Sequence, residues 1–106
     1  MILTGNLEIS GVDSSDYSIP SGKCLVVKGI LNGNITVCGN GVFELKGIMN
    51  GNLEIAQCGH ATIRGILNSG TIINYGKLDV FGIVEAEFFP DNATIHSGAI
   101  VNGQKY

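Results

Sequence analysis

The histidines and cysteines are the side chains of this sequence best suited to catalysis or metal binding, and their spacing predicts neither. His60 and His96 have no partner at a spacing typical of a catalytic or metal site, so we expect both to be ordinary surface residues. Cys38 and Cys58 belong to no Cys-x-x-Cys motif, and no histidine pair lies near them in the chain. Structural zinc sites are normally built from such motifs, so the sequence predicts no metal ion.

The acidic and glycine-rich candidates for chemistry are equally weak. Glu44 and Glu54 do not form a convincing general acid/base pair, because charges on a solvated strand face explain both. Gly39-Asn40-Gly41 resembles a fragment of a phosphate-binding loop, but no helix follows to provide a dipole. We therefore expect no catalytic residues, no cofactor and no enzymatic activity.

The composition excludes several classes of protein. The chain has 106 residues, of which 44% are hydrophobic and 14% are charged, and its net charge is -3. This composition is not that of a disordered chain or of a nucleic-acid-binding domain, and the negative charge favours a basic partner. The apolar runs are too short to span a membrane, so membrane association is not expected. Three cysteines without a disulfide framework indicate a reducing compartment, and we expect a cytoplasmic protein.

An internal repeat in the sequence predicts the secondary structure that positions the histidines and cysteines. The stretch Gly29–Val37 returns as Gly47–Ile55, 18 residues later, and again as Gly65–Asn68. A fixed period of this size is the signature of a repeat architecture. Met1–Ile9 matches the beginning of such a copy, since Ile2–Ile9 corresponds to Ile48–Ile55, so the polar stretch 12–22 is predicted to be a loop inserted into the first repeat.

The hydrophobic pattern within the copies predicts strands. Every odd position from Leu25 to Leu67 except Gln57 is apolar or glycine, and the even positions are mostly polar. A period of two held over this length indicates strands and not helices. Stacking the copies predicts an all-β fold, a three-sided parallel β-helix (β-solenoid) of about five to six rungs, as one domain over residues 1–106. A rung is one circuit of three strands.

The same alignment predicts the core as columns of stacked residues. The copy over residues 65–81 is one residue short, and we place the missing residue between Ile73 and Gly76. The predicted columns are Ile35 on Leu53, Val37 on Ile55 on Ile73, and Leu45 on Ile63 on Val80.

Two columns outside this core could carry function. Asn32, Asn50 and Asn68 recur at one position, and we interpret them as a stacked amide ladder, with a polar ligand groove as the alternative. A second column contains only isoleucine, namely Ile2, Ile30, Ile48, Ile66, Ile83 and Ile100. Strict alternation directs this isoleucine column outward, as a contact surface, whereas a corner that resets the alternation would direct it into the core.

The ends of a solenoid expose backbone groups that pair with another chain unless they are covered. Strand-like copies reach both ends of this sequence, and no amphipathic capping unit is visible. We therefore expect self-association into homo-oligomers or filaments, with Leu3 and Leu7 at one end and Ile100 and Val101 at the other.

The repeated Gly-Ile-Leu-Asn-Gly-Asn-Ile and Gly-Ile-Met-Asn-Gly-Asn-Leu segments resemble the rungs of bactofilins, the bacterial polymer-forming cytoskeletal family. The segment Ile95–Gly103 is similar to the final rung of that family. The resemblance covers most of the chain and implies a right-handed three-sided β-helix that polymerises end to end without nucleotide. The tails usual in the family are missing from this sequence, and the predicted insertion 12–22 has no counterpart in a plain array of rungs.

The predicted loop favours a second class of function. A small acidic protein without catalytic residues also fits an inhibitor, such as an immunity protein that neutralises a bacterial toxin. Asp13, Asp16 and Tyr17 in the predicted loop would then contact a basic target. A polymer predicts large particles whose size depends on concentration, whereas an inhibitor predicts a monomer or dimer.

Overall fold

The computed structural model describes residues 5–89 and 94–106, and this part of the chain is all-β without a helix. Its strands, in chain order, are β1 (Leu7–Ile9), β2 (Val12–Asp13), β3 (Tyr17–Ile19), β4 (Cys24–Val27), β5 (Ile30–Leu31), β6 (Ile35–Val37), β7 (Val42–Leu45), β8 (Ile48–Asn50), β9 (Leu53–Ile55), β10 (His60–Ile63), β11 (Ile66–Asn74), β12 (Lys77–Val80), β13 (Ile83–Phe89), β14 (Thr94–Ile95), β15 (Ile100–Val101) and β16 (Gln104–Lys105). None of the described segments forms a helix that could cross a membrane.

The strands stack into a parallel β-solenoid of about five turns with three faces, as the sequence predicts. Face A contains β1, β4, β7, β10, β12 and β14, and face B contains β2, β5, β8, the first half of β11, the first half of β13, and β15. Face C contains β3, β6, β9 and the second halves of β11 and β13. Leu7 lies opposite Leu25 in face A, and Val12 lies opposite Ile30 in face B, so one rung takes 18 residues.

The alternation of the strands places one side of every face in a common core. Leu45, Ile63 and Val80 stack in face A and are fully buried, which confirms that predicted column. Ile35 stacks on Leu53 in face C, also as predicted. Burying an aliphatic side chain of this kind contributes about 1.5–3 kcal/mol, so these columns supply much of the stability.

The predicted position of Ile73 in the core is wrong. Ile72 lies opposite Leu53, and Asn74 lies opposite Ile55, so Ile73 points outward and is only half-buried. The pairing with the previous rung is offset by 18 residues at Asn68, by 19 at Ile72 and by 17 at Lys77. The fourth rung therefore gains one residue at the corner before Thr71 and loses two at the next corner. Asn74 is fully buried in that shortened corner, and its Oδ1 accepts a hydrogen bond from the Gly76 backbone N–H at 3.1 Å.

The inserted loop predicted over residues 12–22 is also wrong. This segment contains β2 and β3, which pair with β5 and β6 at the ordinary 18-residue offset. The first rung is therefore regular, and Leu7–Ile9 belongs to face A, where it pairs with Leu25–Val27. The sequence pattern is ambiguous here, because Leu7-Glu8-Ile9 in face A has the same pattern as Leu53-Glu54-Ile55 in face C.

Glycines at one corner let successive rungs approach closely. A Cβ atom at Gly47 would lie 2.0 Å from the carbonyl oxygen of Gly29, and one at Gly65 would lie 2.0 Å from that of Gly47. Gly29 has the same relation to Gly11, at 2.1 Å. No side chain fits at such a distance, so this glycine column is a steric requirement of the stack.

The isoleucine column next to these glycines faces outward, so strict alternation holds through the corner. Ile83 is 37% exposed, whereas Leu31 and Met49, in the neighbouring column, are fully buried. Val12 occupies the first-rung position of the isoleucine column and is 70% exposed. Ile2, which the sequence analysis assigned to this column, lies outside the described residues.

Candidate functional site

The edge of the first rung is one of two places where the structure brings predicted interface residues together. Among the described residues, β1, β2 and β3 each pair with a strand on one side only. Leu7 occupies a core position, opposite the fully buried Leu25, but is itself 36% exposed. The core is therefore open to solvent beside β1. Leu3, predicted at the same end, lies outside the described residues.

Asp13 and Tyr17 close another part of the same end with polar groups. Both stand at core positions, Asp13 opposite Leu31 and Tyr17 opposite Ile35. The Tyr17 hydroxyl donates a hydrogen bond to the Asp13 carboxylate, which also accepts one from the Ser15 backbone N–H at 2.8 Å. These bonds, that from Tyr17 foremost, lower the pKa of Asp13, and the bond to Asp13 raises the pKa of Tyr17. Tyr17 is 5% exposed and so belongs to the closure of the rung, not to a loop that presents it to a partner.

Asp16 supports the corner between faces B and C. Its Oδ1 accepts a hydrogen bond from the Asn34 backbone N–H at 2.8 Å. Asn34 and Asn52 repeat this contact toward the next rung, at 2.9 Å and 3.2 Å. Asp16 is thus the first member of a ladder in which each side chain binds the backbone of the following rung.

The opposite edge of face B is covered by the chain itself. β15 pairs in parallel with β13 on one side and antiparallel with β16 on the other, with Ile100 opposite Lys105 and Val101 opposite Gln104. Asn102 and Gly103 join the two strands with φ values of 51° and 81°, as a type I′ hairpin turn requires. The expectation of an open edge at Ile100 and Val101 is therefore wrong.

The remaining interface candidates, Ile30, Ile48, Ile66 and Ile83, form an outward column along face B, beside the asparagine ladder. The Nδ2 atom of Asn50 donates to Oδ1 of Asn32 at 2.9 Å, and that of Asn68 donates to Oδ1 of Asn50 at 3.2 Å. The three amides therefore satisfy one another along the stack, which confirms the amide ladder.

A groove on face C is lined by polar and apolar side chains of successive rungs. Its volume is about 310 Å³, and Thr36, Glu54, Thr71 and Ile73 are among the lining residues. It follows the irregular fourth rung, where the change of register turns Ile73 outward. The groove gathers no set of groups that would activate a nucleophile.

Face A carries a cluster that the sequence analysis missed. Nε2 of His60 lies 2.8 Å from Oδ2 of Asp79, and Nε2 of His96 lies 3.2 Å from Oδ1, so one carboxylate accepts from both rings. Burial alone would raise the pKa of Asp79, but the hydrogen bonds from the two histidines hold its pKa below the usual value of 3.8. Phe81 stacks on His96 with ring centroids 3.9 Å apart, and the Arg64 guanidinium lies 4.7 Å from the centre of the Phe81 ring.

This cluster binds rungs together and shows no catalytic arrangement. No set of three histidine, cysteine or acidic side chains in the described ranges is placed to hold a metal ion. All three cysteines are free, and burial raises the pKa of the Cys24 thiol, with a smaller contribution from Glu44. The signal for the cluster was in the sequence, because His60 and His96 each come within two positions of Asp79 once the short rungs are aligned.

Comparison of the chain with protein-family models, with curated proteins and with solved structures finds no match.

Proposed function

We propose that this protein is a non-enzymatic structural protein that self-associates through the exposed edge of its first rung, as the resemblance to the polymer-forming bactofilins also favours. The observation that supports this proposal is the solvent exposure of the Leu7 side chain. This residue occupies a core position and is nevertheless 36% exposed, beside strands that pair on one side only.

The physical reason for association is the cost of leaving such an edge open. Unpaired backbone N–H and C=O groups of an edge strand are a template for a further strand. A second rung placed on β1, β2 and β3 would satisfy these groups and remove Leu7 from water. Two copies that meet first rung to first rung would bury the same surface on each copy, which is the self-complementary contact of a two-fold dimer.

The inhibitor hypothesis loses its structural basis in the predicted loop. Residues 12–22 form two faces of a regular rung, and Asp13 and Tyr17 are hydrogen-bonded to each other. An inhibitor that binds a basic partner through another surface stays an alternative, and it predicts a discrete particle whose mass does not depend on the first rung.

Sedimentation velocity over a range of protein concentrations tests the proposal. Leu7→Lys places a charge at the exposed core position, and we expect it to shift the wild-type assembly to monomers. Val12→Lys is the matched control, because Val12 lies on the same rung but points away from the core and is 70% exposed. We expect this control to assemble as the wild type does. Identical sedimentation of wild type and Leu7→Lys would refute the proposal.

A further inference from the structure

We propose that β16 blocks the edge of β15 at which face B could be extended. Release of β16 would then allow a strand of a second copy to pair with β15 and continue the solenoid. This inference rests on the proposed function and concerns how the opposite end of the solenoid is regulated. It assigns residues 102–106 the role of an internal competitor for the edge of β15.

The pairing direction sets β16 apart from the rest of the fold. Every other strand pair among the described residues is parallel, and β15–β16 is antiparallel. A rung that continued the solenoid would bring a parallel strand to this edge. The antiparallel hairpin therefore ends the stack on face B instead of extending it.

Burial of side chains does little to hold β16 in place. Gln104 and Lys105 are both exposed, and Tyr106 is 46% exposed. The backbone makes the contact, since the Gly98 N–H donates to the Tyr106 carbonyl at 2.7 Å and the Tyr106 N–H donates to the Ala99 carbonyl at 2.8 Å. A strand that buries so little apolar surface can be exchanged for one that buries more.

The first rung of another copy offers an apolar side chain for this edge, Val12 of β2. Within one chain Val12 lies opposite Ile30, the next residue of the isoleucine column, and Ile100 ends that column at β15. A β2 strand placed on β15 would set Val12 against Ile100 and continue the column across the junction. β2 and β16 would bind the same edge groups of β15, so only one of them can be paired there at a time.

The competition predicts two assembly states. While β16 is paired, it occupies the face B edge of the last rung, although β14 and the second half of β13 each pair on one side only among the described residues. A complete rung cannot stack on this end, so association stops at the closed dimer formed through the first rung. Once β16 is released, the edge of β15 accepts the first rung of another copy, and this head-to-tail contact does not close on itself. Repetition of a contact of this kind gives an open filament.

Two variants release β16 in different ways, and both are compared with the full chain by sedimentation velocity and electron microscopy. Deletion of residues 103–106 removes the strand. Gly103→Val keeps it but strains the turn, because Gly103 has a φ of 81° that β-branched residues avoid. Gln104→Ala, in the same exposed strand, leaves the turn intact and is the control. We expect filaments from the first two variants and wild-type particles from the control.

Adding Leu7→Lys to the deletion separates specific growth from aggregation. We expect the double variant to form no filaments, because head-to-tail growth needs the first rung. If Leu7→Lys abolishes wild-type dimers but neither β16 variant grows beyond the dimer, the role of β16 is refuted while the proposed function stands. Large species that persist in the double variant would also refute this role, since they would not use the first rung. If Leu7→Lys leaves wild-type assembly unchanged, the proposed function itself fails.

Discussion

The Tyr17 hydroxyl donates a hydrogen bond to the Asp13 carboxylate where two core columns end. Each residue takes a position that an aliphatic side chain fills in the next rung. The pair therefore replaces apolar stacking with a polar contact across the end of the core. Terminal units of repeat proteins commonly carry polar outer faces that limit unspecific stacking. Here only part of the end is polar, since Leu7 is 36% exposed at a core position, so the end has one polar and one apolar region.

The register of the fourth rung can be tested by a pair of substitutions in adjacent residues. Ile72→Ala should lower the free energy of unfolding by about 2–5 kcal/mol, because Ile72 is fully buried opposite Leu53. Ile73→Ala should lower it by less than about 1 kcal/mol, because this side chain is half-buried on the outer surface. Urea denaturation measures both. A larger loss from Ile73→Ala would contradict the shift of register.

The glycine column predicts a strong dependence on position. Gly47→Ala should destabilise the protein by about 3 kcal/mol or more, because the added Cβ would lie 2.0 Å from the Gly29 carbonyl oxygen. Gly11→Ala adds the same atom at the first rung, where nothing lies within 4 Å, and should change the stability far less. Thermal unfolding followed by circular dichroism compares the two variants. Equal melting temperatures would show that the rungs are not as closely stacked as described.

The histidine–aspartate cluster predicts a defined pH dependence. Because the folded-state pKa of Asp79 lies below its usual value of 3.8, its contribution to stability is present above that value and is lost as the pH falls through the folded-state pKa. Asp79→Asn should therefore reduce the free energy of unfolding by about 1–2 kcal/mol near pH 5. The difference from wild type should shrink as the pH falls through the folded-state pKa, because the wild-type carboxyl then becomes protonated.

Glu54→Gln is the control for this experiment, since Glu54 is exposed on face C. It should leave the free energy of unfolding within about 0.5 kcal/mol of the wild type. A constant difference between Asp79→Asn and the wild type over the acidic range would contradict the assigned role of Asp79.

Cys58 occupies a strained corner, which predicts a stabilising substitution. Its φ is 68°, and the equivalent residue of the first rung is Gly22, with a φ of 78°. Residues other than glycine lose about 1–2 kcal/mol in this left-handed region, so Cys58→Gly should stabilise the protein by about 1 kcal/mol. Cys38→Gly, at a residue without a positive φ, should not stabilise it. Guanidinium denaturation of both variants distinguishes these outcomes.

The buried side of most strands could be predicted from the alternation of residues such as Leu45 and Ile63, because a solenoid buries every second side chain. The assignment of a strand to a face could not, since all three faces share that pattern. Gly11 could have fixed this assignment, because it lies one repeat before Gly29 and marks the corner that precedes face B. The alignment of the short rung places Asp79 two positions beyond His60, but the contact between them depends on side-chain conformations, which the repeat pattern does not predict.

The compensated offsets of the fourth rung limit how a chain of this kind can change in length. An extra residue at Ser69 or Gly70 is tolerated because the next corner is shorter, so Lys77 still pairs with His60. A single insertion inside a strand, where no corner absorbs it, would turn the buried side of the rest of that strand toward water. Duplication of a whole repeat, such as residues 29–46, would preserve every pairing. The length of the solenoid would therefore change in discrete steps of one rung, about 4.8 Å each.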